Sequence, residues 1–316
     1  MATIADVAAL AGVSKATASR AFSRPGVVSP ATAQRVRDAA EKLGFVANAA
    51  ARQLAGGRTG IVALVVPTLA NSFFTPIIAG AQARADAEGL QLTVVVHPLA
   101  KIDELPGFAR LSRQVDGYIV VAPRGTDDLV ASATRSKPVV LIDREIDGIA
   151  SVAADTATAF GELAERLAAD GHRRLLHIGG PEGSWQDRQR TAAVRAASER
   201  AGVRIDVIGP YASTFAAGVR AAEEVRRLRP TAVIPYATAI GLGVQYALLA
   251  SGDELPVVSS EHEIVAALGL EDTPAIDVDG EELGCVAAEL LIARIADPAL
   301  DPVQRRLPVP LEWASR

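Results

Sequence analysis

The stretch Thr3–Ser23, TIADVAALAGVSKATASRAFS, constrains the chain more than any other. Thr3 is placed as a helix N-cap with Asp6 three residues on, a pair that satisfies free amides of the first turn. Ile4, Val7, Ala8 and Ala11 then recur at helical spacing on one face. Gly12 supplies the reversal, because glycine turns a chain after a helix without steric cost. Ser14 caps a second helix running to about Phe22. Its side chains are small, and its first turn presents Lys15, Ala16, Thr17 and Arg20 outward. A helix that narrow fits the ~12 Å major groove of duplex DNA, where Lys and Arg reach guanine acceptors and a methyl group touches thymine. An ordinary helical hairpin has the same spacing, so this stretch alone leaves the two readings level.

The residues that follow tip the balance. Ser29 and Pro30 open a third helix as N-cap and first helical residue. Val36, Ala39, Ala40 and Leu43 form its inner stripe, and Gly44 stops it. After Phe45, residues 48–57 read as a fourth short helix ending in two glycines. The order DVA-x-x-AGVS-x-x-T-x-SR, then VSP-x-T, then N-x-x-AR-x-L closely resembles the LacI/GalR family of bacterial transcription regulators. The resemblance implies a helix-turn-helix headpiece with a hinge helix. It places Lys15, Ala16 and Arg20 on base edges, and Ser14, Thr17, Ser19 and Asn48 on phosphates or backbone. Arg52 falls in the hinge helix, and Leu54 takes the place of the leucine wedged into the minor groove at the operator centre. Unstacking a base step costs a few kcal/mol, which a bent duplex and its added contacts offset. Two positions depart from the family: Phe45-Val46-Ala47-Asn48 stands for its Tyr-x-Pro-Asn, and Ser23 for a usual Asn.

Charge agrees with a DNA-binding head. Residues 1–58 hold eight Lys or Arg against three acids, so a head of +5 sits on a body of −10, together the −5 of the whole chain. Only the head is suited to a polyanion. At 316 residues the chain is long enough for two or three domains. No run approaches the ~18 apolar residues of a membrane span, and no secretory segment precedes the helical motif, so a cytoplasmic protein is expected. The single cysteine, Cys285, forms no internal disulfide. His97, His172, His177 and His262 lack ligand spacing, so no metal and no cofactor are expected.

From about residue 59 the pattern becomes apolar strands alternating with amphipathic helices. Ile61–Val66, Leu92–Val96, Tyr118–Ala122 and Val139–Ile142 are continuous Val/Ile-rich runs suited to strands buried on both faces of a parallel sheet. Helices are expected at Phe74–Glu88, Asp103–Arg113 and Asp127–Arg135. A second round follows Asp155, with helices at Thr156–Ala169, Asp187–Ala201, Thr214–Leu228 and Ala239–Ala250. Its strands are expected at Leu175–Ile178, Ile205–Ile208, Ala232–Ile234 and Val257–Val258. Two doubly wound lobes in succession suggest a clamshell. Helix Glu281–Ala296 and the segment Arg305–Trp313 cross back between them. The expected division is 1–58 for the head and hinge and 59–316 for the core, with lobe 1 at 59–155 plus 281–303 and lobe 2 at 156–280 plus 304–316.

The body resembles the same family's periplasmic-binding-protein-like core through VVP-x-x-x-N-x-FF (65–74), VDG-x-I (115–119), P-VVLIDR (138–144), GHRR-x-x-x-IGG (171–180) and R-x-x-A (190–193). That implies a small-molecule effector, sugar-like, between the lobes, a homodimer formed along the core, and a pseudo-palindromic double-stranded DNA operator. In open α/β sheets ligands bind beyond the carboxyl ends of strands, which selects Asn71 to Phe74 with Phe73 and Phe74 as candidate stacking rings, Pro123-Arg124, Asp143-Arg144, the 181–190 turn, Tyr211, Tyr236 and Glu261. Arg190 matches the family's cleft arginine. Where the family usually carries Asn-Asp, this chain has Ala237-Thr238, and where it carries Gly-Phe-Asp-Asp, this chain has Ser259-Ser260-Glu261-His262. Two other classes compete with a regulator. A transporter's solute-binding protein would share the two lobes but not the basic head. An enzyme would need a nucleophile–base set or a G-x-G-x-x-G loop, and 179–183 has neither.

Overall fold

The computed structural model describes residues 2–23, 25–45, 58–269 and 273–313. The expected hinge helix, with Asn48, Arg52 and Leu54, lies outside them. The chain forms two compact units, one of residues 1–61 with 113–116 and the other of 62–112 with 117–316.

The first unit contains helices α1 (Ile4–Ala11), α2 (Lys15–Ser23) and α3 (Pro30–Lys42). Each start follows from a local bond. Thr3 and Asp6 form a reciprocal capping box, Ser14 Oγ accepts the Thr17 amide at 3.1 Å, and Ser29 caps α3 with Pro30 behind it. Gly12 closes α1 at φ +65°, a left-handed conformation that glycine adopts at no steric cost. The core beneath is small: Val7, Val36 and seven alanines are buried, with Phe22 and Phe45 at its edge, their rings 6.0 Å apart. The stripe of α3 is Ala33, Val36, Ala39 and Ala40. Leu43 does not join it; it is the C-cap and is exposed.

The second unit holds two α/β lobes. The first is built on a six-stranded sheet in the order β10-β5-β4-β3-β1-β2, formed by β1 (Ile61–Val66), β2 (Gln91–Val96), β3 (Gly117–Val121), β4 (Val139–Ile142), β5 (Ala150–Ala154) and β10 (Gln304–Leu307). The β1–β3, β3–β4, β4–β5 and β5–β10 pairs are parallel. Helices α4 (Phe74–Ala87), α5 (Leu105–Ser112), α6 (Asp127–Thr134) and α12 (Gly280–Ala296) complete this lobe. The expected helix 103–113 is divided into a 3-10 turn at Ile102–Glu104 and α5. Pro106 explains the break, since it lacks an amide donor and is tolerated only in a first helical turn.

The second lobe has the parallel sheet β7-β6-β8, formed by β6 (Arg174–Ile178), β7 (Arg204–Ile208) and β8 (Ala232–Pro235), with helices α7 (Thr156–Ala169), α8 (Trp185–Arg200), α9 (Phe215–Leu228) and α10 (Thr238–Leu249). Val257-Val258 is not a strand. Val257 makes a single bridge to Val233, and Ser259 one to Ala275. A short helix α11 (His262–Ala267) and the two-residue strands β9 (Ala275–Ile276) and β11 (Leu311–Glu312) follow.

The expected lobe boundary at 303/304 is corrected. Residues 304–307 belong to the first lobe, where β10 adds a parallel edge strand against Ser151–Ala154. Arg306 fastens that strand to Glu145 through two bonds of 2.6 and 2.7 Å. Only β11, paired antiparallel to β9, returns to the second lobe. Val278 and Val309 pack against the apolar cores of both lobes, which marks two of the crossing points.

Candidate nucleic-acid interface and effector cleft

On α2, Lys15, Ala16 and Arg20 are exposed, and Thr17 and Ser19 are half-buried. Ala18 and Ala21 turn inward into the small core. Ser14 Oγ lies 2.8 Å from Thr17 Oγ1, so these two hydroxyls are already paired at the helix start. The outer face therefore offers two cations and a methyl group on a helix with little side-chain bulk. Of the nine expected DNA-contacting residues, six are on or immediately before this helix.

The second candidate site lies between the lobes, where β1, β3, β4 and β8 end. Asp143 follows β4 at φ +55° and is 4% exposed. Its Oδ1 accepts the Ala154 amide at 3.2 Å and Gln186 Nε2 at 2.7 Å. Gln186, on the second lobe, also donates to the Ala154 carbonyl at 3.2 Å and accepts from Thr156 Oγ1 at 3.0 Å. Thr156 Oγ1 in turn accepts Arg190 Nε at 2.9 Å, and Arg190 Nη1 donates to the Tyr236 carbonyl at 2.6 Å. Arg190 is 5% exposed, and its guanidinium carbon lies over the rings of Phe160 and Tyr236, 4.8 and 4.7 Å from their centroids. A buried cation is thus balanced by oxygens and π faces.

Burial pushes the Asp143 carboxyl up, against hydrogen bonds from Gln186 and Ala154 and the attraction of Arg190. Burial likewise raises Glu261, against Thr238 and Arg190, and the Tyr236 hydroxyl, which lies 3.1 Å from Ser184 Oγ. Cavities among the described residues surround this network. An inner one of about 30 Å3 is lined by Phe73, Phe74, Asp143, Arg190, Tyr236 and Glu261, among others. One of about 190 Å3 is lined by Thr68, Asn71, Phe74, Arg124, Ser184 and Tyr236, among others. One of about 590 Å3 includes Phe73, Glu261, His262, Asp277 and Glu281. The inner volume holds little more than one water, so the protein's own side chains fill the centre of the cleft.

Phe73, Phe74, Arg124, Asp143, Arg190, Tyr236 and Glu261, all expected at the effector site, line these cavities. Tyr211 does not: its hydroxyl donates to Glu224 of α9 at 3.3 Å, which turns the ring away although the residue follows a strand end. Gln186 lies in the 181–190 turn that the strand-end rule selects, but Thr156 was not anticipated, because nothing in local spacing marks its bonds to residues 30 and 34 positions on. Thr238, Ser259 and Ser260 form a buried hydroxyl knot, with Thr238 Oγ1 at 2.9 and 3.1 Å from the two serine hydroxyls. The Thr238 and Ser260 backbone amides join the same knot.

Residues 59–314 match the model for periplasmic binding proteins and the sugar binding domain of the LacI family, and residues 3–48 match that for bacterial regulatory proteins of the lacI family. The chain belongs to the LacI family. The HTH-type transcriptional regulator GntR of Pseudomonas aeruginosa is 30% identical over 328 residues, 95% of this chain and 92% of that protein. The maltose regulon regulatory protein MalI of Escherichia coli (strain K12) is 34% identical over 194 residues, 60% of this chain. The matched region spans 56% of MalI and 63% of DegA of Bacillus subtilis, less than two thirds of either. Among solved structures, the transcriptional regulator CelR–cellobiose complex has a TM-score of 0.73 at 28% identity, covering 98% of both chains. The Lac repressor dimer bound to operator and the anti-inducer ONPF has the same fold, with a TM-score of 0.85 at 24% identity, covering 98% of this chain and 97% of that one. Within this LacI-family core, the hydroxyl knot draws on both stretches where the sequence departs from the family pattern, Ala237-Thr238 and Ser259-Ser260-Glu261-His262. Glu261 follows the knot and lines two of the cavities.

Proposed function

We propose that this LacI-family chain is a DNA-binding transcriptional regulator, acting as a repressor, whose operator affinity is set by a small, sugar-like effector in the interlobe cleft. Residues 1–58 serve as reader and hinge, and 59–316 as the effector-binding and dimerisation core. Two copies bind a pseudo-palindromic operator in the cytoplasm. Lys15, Ala16 and Arg20 touch base edges; Ser14, Thr17, Ser19 and Asn48 hold the backbone; Arg52 and Leu54 act at the operator centre. The effector contacts Phe73, Phe74, Arg124, Asp143, Arg190, Tyr236 and Glu261. The chain is a binding protein rather than an enzyme.

The observation that carries this reading is the capped second helix with Lys15, Ala16 and Arg20 exposed on a head of net charge +5. The buried polar network of the cleft supports the effector half. CelR with cellobiose and the Lac repressor dimer on operator are relatives of the proposed kind. The test is fluorescence anisotropy of the full-length protein on DNA from the promoter beside its own coding region, with and without a panel of sugars. Specific binding that one sugar weakens supports the proposal. Equal affinity for that DNA and bulk competitor at modest salt overturns it.

A further inference from the structure

Resting on the reading of the chain as a dimeric operator binder, we infer that Asp116 is a positioning residue for operator recognition. Its carboxylate fixes the turn at residues 59–61, and with it the point from which the DNA-binding segment leaves β1. None of the contacts proposed for operator or effector involves this acid.

Asp116 is 6% exposed. A carboxylate that deep needs partners for its oxygens. Oδ1 accepts the Thr59 amide at 2.7 Å, and Oδ2 accepts the Gly60 amide at 2.8 Å. The next amide, that of Ile61, is taken by Thr59 Oγ1 at 3.0 Å, and the Ile61 carbonyl accepts the Asp116 amide at 2.7 Å. Three consecutive amides are thus held by side chains, two of them by one carboxylate 57 and 56 residues on. Between them Gly60 turns at φ +71°, a left-handed conformation open to glycine without steric cost. Hydrogen bonds to an ionised acceptor are roughly twice as strong as neutral ones. The segment joining head to core is therefore pinned at a place where inter-domain segments are ordinarily exposed and lightly bonded.

The position of this clasp in the chain gives it a role. Residues 113–116 group with 1–61 in one compact unit, yet Asp116 leads directly into β3, and Ile61 opens β1. These are neighbouring interior strands of the first lobe's sheet, with Val62 opposite Gly117. The turn is bonded to the start of a rigid sheet rather than merely strung from it. A dimer of this kind reads two half-sites about one helical turn of DNA apart. Its second head binds with an effective concentration that falls as the attachment loosens. A pinned exit raises that concentration on the operator, whereas binding to random DNA through phosphates in any register gains less.

The test uses full-length Asp116→Asn, which removes the charge and turns an NH2 group towards one of the two amide donors. Anisotropy measures affinity for DNA from the promoter beside the coding region and for bulk competitor, and hydrogen exchange follows the Thr59 and Gly60 amides. The promoter-to-competitor affinity ratio is expected to fall about tenfold or more, and exchange of the two amides to accelerate by about tenfold or more. Electrostatics alone gives the opposite sign, because losing a negative charge strengthens binding to a polyanion. A purely structural role would lower the melting temperature and leave the ratio at the parent's value, and that result overturns the inference. So does exchange of these amides in the parent as fast as in an unfolded peptide. If Asp116→Asn does not fold, Gly60→Ala decides: its Cβ would meet nothing within 4 Å, so it strains the turn alone. It should lower the ratio in the same direction, and an unchanged ratio overturns the inference. A parent that does not distinguish promoter DNA from competitor removes the operator reading and the inference with it. A discriminating parent beside an unaltered variant removes the inference alone.

Discussion

Arg190 reaches its place through contacts that no local pattern announces: a threonine hydroxyl 34 residues away and a carbonyl 46 residues away. Asp143 and Tyr236 were legible because each stands immediately beyond a strand end. Proximity to a strand end says nothing of which way a side chain turns, which is why Tyr211 was selected and lies elsewhere. Asp143 gives a test with a definite sign. A carboxyl whose folded-state pKa is raised weakens the fold above that value, and the penalty is relieved as pH falls through the raised value towards the ordinary one. Asp143→Asn keeps an acceptor for the Ala154 amide and removes the charge. Thermal melts should therefore show the variant more stable than the parent at pH 7, with the difference shrinking as the pH is lowered. On α2, Lys15→Ala should weaken operator binding by about 1–3 kcal/mol, the usual worth of one good base contact. Competition anisotropy against non-specific DNA checks whether the loss is confined to the operator.

Elements were legible to the extent that one physical signal dominated them. β1 and β4 are continuous apolar runs rich in Val, Ile and Leu because both faces of a central parallel strand are covered. β5, Ala-Ser-Val-Ala-Ala, is equally buried but carries small residues, so its apolar signal is weak. β10, Gln-Arg-Arg-Leu, is an exposed edge strand and shows none. Helix starts were the most readable feature, because Thr3, Ser14 and Ser29 each declare themselves by residue type. Helix packing was not readable. A Cβ on Gly284 of α12 would lie 2.0 Å from the Ile77 carbonyl oxygen of α4, and one on Gly80 would lie 2.0 Å from that of Glu281. The two helices therefore meet backbone to backbone, a contact that only glycine permits. Gly284→Ala should force them apart and lower stability by about 1–3 kcal/mol, measured by urea unfolding with effector absent. Gly218 and Gly243 make the same approach between α9 and α10 in the second lobe.

At the scale of the whole chain, composition and motif order gave the fold class, the basic head and the two lobes, because charge asymmetry and βα alternation are averages over many residues. The path of the chain between the lobes was less accessible, since crossing at 308–310 rather than before 304 depends on one exposed strand pairing with Ser151–Ala154. What joins the lobes at the cleft is more specific: the 2.7 Å bond from Gln186 Nε2 on the second lobe to Asp143 on the first. Gln186→Ala removes that bond, a loss of about 1.5–3 kcal/mol if the carboxylate is charged. Small-angle scattering of the ligand-free variant should report a larger radius of gyration than the parent.

The inner cavity of about 30 Å3 carries a consequence for regulation. A guest cannot simply enter a space that small; it must evict an internal clasp before it makes contacts of its own. Ligand response is then a contest between two sets of bonds. A variant with the clasp already undone should behave, with nothing bound, as though the signal had arrived.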